Sequence, residues 1–204
     1  MFPLYCYSQD FGASSLGQRL PNIDAKILDS LSVHLGSNVN TEQLLAYVYS
    51  ILYSDNYRRD YSEFLTLDFP RIPFTKDHNT FLKLADLGQQ LIDLHLMRSP
   101  ELDNPISRFC GKGDSAVTKV EYDADCGRVS INPTQYFDGI TPDLWAYQIG
   151  GYQVLAKWLK DRNGRFLTSA DTIHYSRVVT VLSKTMEVQD RIGDLAWLVS
   201  GTGV

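Results

Sequence analysis

Residues 117–132 read VTKVEYDADCGRVSIN, and this stretch decides the class of fold. Two runs, 117–122 and 128–132, alternate apolar and polar side chains with a period of two, the spacing of a β-strand with one buried face. The residues between them are polar and end in glycine, as a tight connection between two strands requires. The sequence therefore predicts an antiparallel β-hairpin in a chain that is otherwise mostly helical.

The residues on either side of the hairpin predict a further strand and a loop. Gln135–Phe137 has the composition of a short third strand. Before the hairpin, residues 101–116 are polar and contain Gly111 and Gly113, which favours a loop at a boundary near residue 100.

The first hundred residues carry helical periodicity. Asn22 is placed to cap a helix that ends at Gly36, and Asn40 with Gln43 forms a capping box for a second helix. Pro70 and Pro73 predict extended chain. The elements predicted here are a strand or extended anchor at 2–7, a loop through residue 17, helices at 23–35, from 41 onward, at 57–65 and from 77 to near 99, and an extended segment at 68–74.

After the hairpin the chain again predicts helices. Gly150 and Gly151 interrupt the first of them. The two glycines would allow either a close approach of the backbone to DNA or close packing of Tyr152, and we favour packing. The predicted elements are a helix that starts at Thr141–Pro142 and resumes at 152–160, a turn at 161–165, and a helix capped by Ser169 that runs to about residue 198. The fold class is therefore α+β, mostly helical with a small antiparallel β-sheet.

Composition excludes several classes of protein. The chain has 204 residues, a net charge of −5 and 44% hydrophobic residues, which is typical of a globular domain. No apolar run approaches the roughly 18 residues of a membrane span. Three cysteines form no CxxC pair, and the four histidines are scattered, which predicts reduced thiols, a cytoplasmic location and no metal site.

No catalytic motif stands out. Residues 111–115, GKGDS, lack the spacing of a phosphate-binding P-loop. Asn132-Pro133-Thr134-Gln135 has only part of the Asn-Pro-Pro-aromatic motif of amino-methyltransferases, and its simpler interpretation is a turn that ends a strand. No nucleophile elbow is present, and no cysteine is set beside a histidine. The sequence predicts that the chain by itself is not an enzyme.

Charge is distributed unevenly along the chain. Residues 1–107 hold 8 Lys/Arg and 13 Asp/Glu, whereas residues 108–204 hold 11 of each. Basic side chains neutralise phosphates, and amide side chains read base edges, so the second half is the better candidate for nucleic-acid binding. A basic run after an amphipathic helix is more often a solvated helix end, so composition alone does not establish DNA binding.

Several long strings resemble one known family. The strings are YVYSILYS at 47–54, YRRDYSEFL at 57–65, DFPRIP at 68–73, VSINPTQYF at 129–137 and WAYQIGGYQVLAKWLKDR at 145–162. Together they make the chain similar, from about residue 2 to residue 191, to the C-terminal specificity region of single-polypeptide type I (type ISP) restriction–modification enzymes and related adenine-specific DNA methyltransferases.

The resemblance implies a bacterial target-recognition domain. In that family the domain follows an adenine-N6 methyltransferase domain, itself behind nuclease and helicase domains, and selects the DNA sequence to be methylated or cut. It implies double-stranded DNA and the methyltransferase domain as partners, and no membrane. Any S-adenosylmethionine is expected on the methyltransferase domain and not on this chain. Residues 1–100 would form the scaffold and the junction to that domain, and 101–204 the DNA-recognition part.

We expect the DNA contacts to come from the second half. The basic residues would fix register on phosphates, while loop 108–116 and segment 132–139 would reach into the major groove. The candidate residues are Lys112, Lys119, Arg128, Asn132, Gln135, Tyr136, Gln148, Lys157, Arg162 and Arg165.

Two alternatives remain open at this point. The acidic helices would suit a protein-docking module with little DNA contact of its own. A nuclease would need clustered carboxylates, and the only dense group is Asp114, Glu121, Asp123 and Asp125, whose alternation along the hairpin is more typical of a solvated face.

Overall fold

The computed structural model describes residues 3–7 and 19–200, with side chains described through Leu195. These residues form eight α-helices, a 3-10 helix at Pro100–Asp103 and eight short strands, so the predicted α+β class is confirmed. The helices are α1 Ala25–Leu35, α2 Thr41–Tyr53, α3 Asp55–Asp60, α4 Ser62–Leu67, α5 His78–His95, α6 Pro142–Ala146, α7 Val154–Lys160 and α8 Ser169–Ser200. The strands are β1 Tyr5–Tyr7, β2 Arg19–Pro21, β3 Phe109–Gly111, β4 Glu121–Asp123, β5 Arg128–Ser130, β6 Gln135–Phe137, β7 Gln148–Ile149 and β8 Tyr152–Gln153.

The chain divides into two compact units. One, the helical unit, comprises residues 1–92 and 188–204, and the other, the sheet unit, comprises residues 93–187. The two boundaries fall within α5 and α8. The two units are defined by how the chain packs and carry no information on function. The predicted assignment of 1–100 to a junction and 101–204 to DNA recognition therefore stays a prediction.

In the helical unit, α2 and α5 pack closely. A Cβ added to Gly88 of α5 would lie 1.8 Å from the carbonyl oxygen of Ala46 on α2, so only glycine fits there. The ring of Tyr47, fully buried, stacks against Phe81 at 4.7 Å and Phe74 at 5.3 Å. Burial raises the pKa of the Tyr47 hydroxyl to about 12.

Capping in the helical unit follows the sequence in part. The Asn40–Gln43 capping box at the start of α2 is confirmed, with both reciprocal hydrogen bonds present. The prediction for α1 is wrong by two residues, because Asp24 accepts from the Lys26 N–H while the Asn22 amide donates to the carbonyl of Pro3. The predicted strand at 2–7 is present as β1, paired with β2. Most of the predicted loop between them lies outside the described residues.

The segment from 54 to 75 contains two short helices where one helix at 57–65 was predicted. Ser54 caps α3, and the chain breaks at Tyr61 before α4. The proline-containing stretch is irregular as predicted, and buried tyrosines hold it. Tyr47 donates to the carbonyl of Pro73 at 2.8 Å, and Tyr57 donates to the carbonyl of Arg71 at 2.9 Å.

The sheet unit is built on a four-stranded antiparallel sheet in the order β3-β6-β5-β4. The predicted hairpin is confirmed as β4–β5 and the predicted third strand as β6. Strand β3 lies in a stretch that was predicted as a loop. It has only three residues, too few to show an alternating pattern in the sequence, and it is a strand because it pairs with β6. One core joins the sheet to the helices of this unit, including the fully buried residues Val129, Phe137, Leu155, Leu159 and Tyr175.

Two predictions in the sheet unit are wrong in detail. The glycines at 150 and 151 do not interrupt a helix but form the turn of the β7–β8 hairpin, and a Cβ on either would meet no atom within 4 Å. They serve a turn and not the packing of Tyr152, which is 63% exposed. The cap of α8 is Thr168, whose hydroxyl accepts from the N–H of Asp171.

None of the described helices combines the length and apolar run that crossing a bilayer requires.

Candidate nucleic-acid interface

Two segments of the sheet unit join to form one exposed surface, residues 111–119 and 160–166, which we call the basic platform. The N–H of Val117 donates to the carbonyl of Arg165 at 2.9 Å, and the N–H of Gly164 donates to the carbonyl of Val117 at 2.8 Å. A β-bridge pairs Ala116 with Phe166. Side chains that are far apart in sequence are therefore neighbours in one hydrogen-bonded surface.

A buried pair of amides supports the first segment from beneath. The Oε1 of Gln135 accepts from the N–H of Ser115 at 2.8 Å and from the Nδ2 of Asn132 at 3.0 Å. The same Nδ2 donates to the carbonyl of Ala116 at 2.9 Å, and the Oδ1 of Asn132 accepts from the N–H of Thr134 at 3.0 Å. These bonds specify the path of the loop, because buried amides with unmade bonds would cost stability.

The two amides of this pair, both predicted to contact DNA, lie inside the sheet unit. Asn132 is 9% exposed and Gln135 is 3% exposed, and their polar atoms bond inside the protein. Neither side chain reaches a base without leaving those bonds, and a role of either residue in DNA contact stays a prediction. Segment 132–139, predicted to enter the major groove, alternates buried and exposed residues: Pro133, Thr134 and Gly139 are exposed.

Glycines let the platform loop lie against strand β6. Gly111 has φ +95°, and a Cβ there would lie 2.0 Å from the carbonyl oxygen of Thr134. At Gly113 a Cβ would lie 2.5 Å from the Oε1 of Gln135. Ser115 also has a positive φ, at +64°. The loop is thus held in a specific, close-packed path and presents its remaining side chains outward.

The platform is strongly basic for its size. Its basic side chains outnumber its acidic ones by five to two. Three of the five are exposed and have no carboxylate within ion-pair distance among the described residues. The basic residues are Lys112, Lys119, Lys160, Arg162 and Arg165, the acidic ones Asp114 and Asp161, and the three without an ion pair Lys112, Lys160 and Arg165.

Arg162 is held in place by its neighbours. Its guanidinium lies 3.5 Å from the centre of the Trp158 ring and donates to the Trp158 carbonyl at 3.0 Å. It also approaches Asp171 at 3.9 Å. Hydrogen bonds from the hydroxyl and N–H of Thr168, together with the positive charge of Arg162, hold the pKa of the Asp171 carboxyl below its usual value. This cation is a structural part of the α7–α8 connection.

Three more predicted contact residues are ion-paired. Lys119 pairs with Glu121 at 2.8 Å, Arg128 with Asp123 at 3.5 Å, and Lys157 with Asp161 at 2.8 Å. All three pairs are substantially exposed to solvent, so their cations remain accessible.

The last two predicted residues, Tyr136 and Gln148, differ in exposure. Tyr136 is half-buried under the guanidinium of Arg128, at 5.1 Å from its ring centre. Gln148 lies on the exposed β7–β8 hairpin.

The dense carboxylates of the hairpin do not gather into a site. Glu121 and Asp123 are ion-paired, and Asp123 also accepts from the N–H of Cys126 at 3.1 Å. Asp114 accepts from the N–H of Ala116 at 3.0 Å. Within the described residues, no group of three or more His, Cys, Asp or Glu side chains could hold a metal ion.

Sequence reasoning missed several surface residues of this unit. Lys160 and the 66%-exposed Phe166 belong to the platform only because strand-like bonds join its two segments. Tyr152 was assigned to packing, although a Gly-Gly pair between two short alternating runs is itself a hairpin signal.

The class defined by this arrangement is a small α+β domain with a rigid, basic loop surface and no assembled catalytic cluster among its described residues. A family model described as the Type ISP C-terminal specificity domain matches residues 1–193. The chain therefore belongs to the family of Type ISP C-terminal specificity domains. The resemblance inferred from the five sequence strings is confirmed, and with it the prediction of a specificity domain of restriction–modification enzymes.

Solved structures share the fold. The cryo-EM structure of a DrdV–DNA complex aligns over 92% of this chain with a TM-score of 0.72 and 22% identity. The type ISP enzyme LlaBIII bound to DNA aligns over 92% with a TM-score of 0.67 and 20% identity. A nuclease-deletion mutant of LlaGI with a DNA substrate mimic aligns over 76% with a TM-score of 0.58 and 22% identity.

This chain spans only 21%, 13% and 14% of those three chains, respectively. No curated protein matches it.

Proposed function

We propose that the sheet unit contacts duplex DNA through the basic platform, and that this contact serves selection of the DNA sequence on which a restriction–modification enzyme acts. The observation that carries the proposal is the charge of the platform, five basic side chains against two acidic ones. Lysine and arginine on phosphates supply the sequence-independent part of DNA binding. The solved neighbours of this fold are described as complexes with DNA or a DNA mimic, which supports the same partner.

Within the platform the three exposed cations without ion pairs are the strongest phosphate contacts. Within the described part of the chain, Lys112, Lys160 and Arg165 form no ion pair that a phosphate would have to displace. Lys119 is a weaker contact, because a phosphate must compete with Glu121 for its ammonium group. Arg162 acts mainly by holding the turn that carries Arg165.

Two further cations of the sheet unit lie outside the platform. Arg128 and Lys157, both in exposed ion pairs, are proposed as secondary phosphate contacts. Their carboxylate partners reduce the gain from each contact, since a phosphate must compete with an existing ion pair.

We also propose that the helical unit docks against the rest of a longer polypeptide, with a methyltransferase domain as its partner. Three large apolar side chains at and after α4 are unusually exposed: Phe64 by 68%, Leu67 by 85% and Phe69 by 89%. Apolar surface of this kind marks contact sites. The short span of this chain relative to its solved neighbours supports a partner in the same polypeptide.

In this proposal the chain contributes recognition, and the chemistry belongs to other domains. Methyl transfer would use S-adenosylmethionine held by the methyltransferase domain, and no residue of this chain is assigned to that cofactor. The location proposed is the cytoplasm, where bacterial DNA is found.

The test is the salt dependence of binding to a duplex of fixed sequence, measured with the complete gene product. Replacing Lys112 and Arg165 together by alanine removes two phosphate contacts. The slope of log K against log salt should fall by about 2, because each contact contributes roughly 0.9 to it. The affinity loss should be similar for unrelated duplexes.

Two controls make this measurement specific. Replacing Arg98 and Arg177 by alanine removes the same charge from the sheet unit outside the platform and should leave the slope unchanged. Replacing Phe64 and Leu67 by serine alters the proposed docking face and should also leave the slope unchanged. Equal slopes for the platform and the Arg98/Arg177 variants would exclude the platform as the phosphate-binding surface.

A further inference from the structure

The turn of the β7–β8 hairpin, Gly150 and Gly151, lies in open space. Gln148 pairs with Gln153 and Ile149 with Tyr152 across the two strands. Gly150 and Gly151 have φ +58° and +82°, the left-handed conformation that a two-residue turn needs to match strand twist. A Cβ added at either glycine would meet no heavy atom within 4 Å.

The base of this hairpin is firmly held. Before it, Leu144 is buried and Trp145 stacks on Tyr122 with ring centres 5.0 Å apart. After it, the N–H of Val154 donates to the carbonyl of Tyr147 at 3.3 Å, and Leu155 is fully buried. A short ribbon with a fixed base and an open tip is suited to present side chains at a defined position.

The two cross-strand pairs differ in chemistry. Residues directly opposite each other in an antiparallel pair share one face, and successive residues alternate faces. Ile149 and Tyr152, 50% and 63% exposed, therefore form an apolar pair at the tip, while Gln148 and Gln153 form an amide pair on the other face. The ammonium of Lys157 lies 5.5 Å from the centre of the Tyr152 ring.

The apolar pair has no role in the core of the sheet unit. Both side chains are absent from the buried cluster that joins the sheet to the helices. Exposed apolar side chains at the end of a rigid ribbon are typical of a contact surface.

The dimensions and the chemistry of the ribbon fit the major groove of B-DNA. That groove is about 12 Å wide and admits a two-stranded β-ribbon. A glutamine amide pairs with N6 and N7 of adenine, and apolar side chains contact the methyl group of thymine. Resting on the proposed function, we propose that the β7–β8 hairpin enters the major groove and reads A·T pairs, with Gln148 and Gln153 as amide readers, Ile149 and Tyr152 against thymine methyl groups, and Lys157 on a flanking phosphate.

The experiment selects bound sequences from a pool of randomised duplexes with the complete gene product in EDTA. Wild-type protein should enrich a motif that contains A·T positions. Gln148→Ala should reduce the preference at one such position by about tenfold, the discrimination of one good amide–adenine contact. Ile149→Ser combined with Tyr152→Ser should relax the preference for thymine at a neighbouring position. Both variants should keep the wild-type thermal unfolding, because the substituted side chains are exposed.

The platform variant, with Lys112 and Arg165 replaced by alanine, separates the two proposals. It should bind every sequence less well and enrich the same motif. A motif left unchanged by both hairpin variants would overturn the proposed reading role while the platform effect still supports DNA binding. If the wild-type protein binds the pool but enriches no motif, the proposed reading role is likewise overturned and the proposed DNA binding is not. Wild-type protein that does not bind the pool at all would overturn the proposed function itself.

Discussion

The sheet unit contains two pairs of amide side chains that look alike in sequence and differ in structure. Asn132 and Gln135 are buried and bond to the backbone of the platform loop, whereas Gln148 and Gln153 face each other on an exposed hairpin. Both segments follow apolar runs, and both contain residues predicted to contact DNA. The difference teaches that residue type predicts the capacity to hydrogen-bond, while burial decides whether the partner is the protein itself or another molecule.

The largest loss of stability should come from substituting the glycines near the two amide pairs, Gly111 and Gly150. Gly111→Ala places a methyl group 2.0 Å from a backbone oxygen at a positive φ, so we expect a loss of about 3 kcal/mol or more in the free energy of unfolding. Gly150→Ala at the hairpin tip meets no atom and should cost about 1 kcal/mol, the strain of a left-handed alanine. Urea unfolding followed by tryptophan fluorescence measures both.

The contrast between the two glycines is the informative quantity. Both have a positive φ, so the conformational strain is common to them and the difference isolates the close approach of Gly111 to strand β6. Equal losses would mean that the loop relaxes away from that strand, and the support attributed to the amide pair would then be wrong.

A smaller effect is expected from the amides themselves. Asn132→Ala removes bonds to the carbonyl of Ala116 and to Gln135 and leaves buried polar groups without partners, which should cost about 2 kcal/mol. Gln148→Ala should change the free energy of unfolding by less than about 0.5 kcal/mol, because its side chain is exposed. Denaturant midpoints of the two variants measured side by side provide the check, and a destabilisation by Gln148→Ala as large as that by Asn132→Ala would remove the distinction.

The smallest loss of stability is expected at Asp171, the carboxylate that approaches Arg162 in the α7–α8 connection. Asp171→Asn weakens the capping box with Thr168 and the ion pair to Arg162, so we expect a loss of about 1 kcal/mol at neutral pH. Because the folded-state pKa of Asp171 is lowered, its contribution is present above the unfolded-state pKa and is lost as the pH falls through the folded-state value.

The stability difference between wild type and Asp171→Asn should therefore shrink as the pH is lowered below about 4. Urea unfolding at pH 7 and at pH 3 measures this change. A difference that stays constant between the two pH values would show that the carboxylate charge contributes nothing to the capping box.

Local signals predicted much of the fold and little of the interface. The alternation of 117–132, the Asn40–Gln43 capping box and the strand at 135–137 were read correctly, because each depends on residues adjacent in the chain. Caps at Asp24 and Thr168 were missed by one or two residues, since neighbouring polar side chains compete for the same N–H groups. Strand β3 and the platform were missed because both depend on pairing with distant segments.

The sequence by itself determined the α+β class, the family and the presence of basic and amide side chains in the second half of the chain. Periodicity, helix caps and long strings shared with a family are local properties, so they can be recognised in the sequence alone. Only the tertiary structure decided which polar side chains are free. Gln135 and Gln148 have identical chemistry, yet one satisfies its hydrogen bonds inside the sheet unit and the other keeps its amide in solvent, because burial is set by segments that meet only after folding.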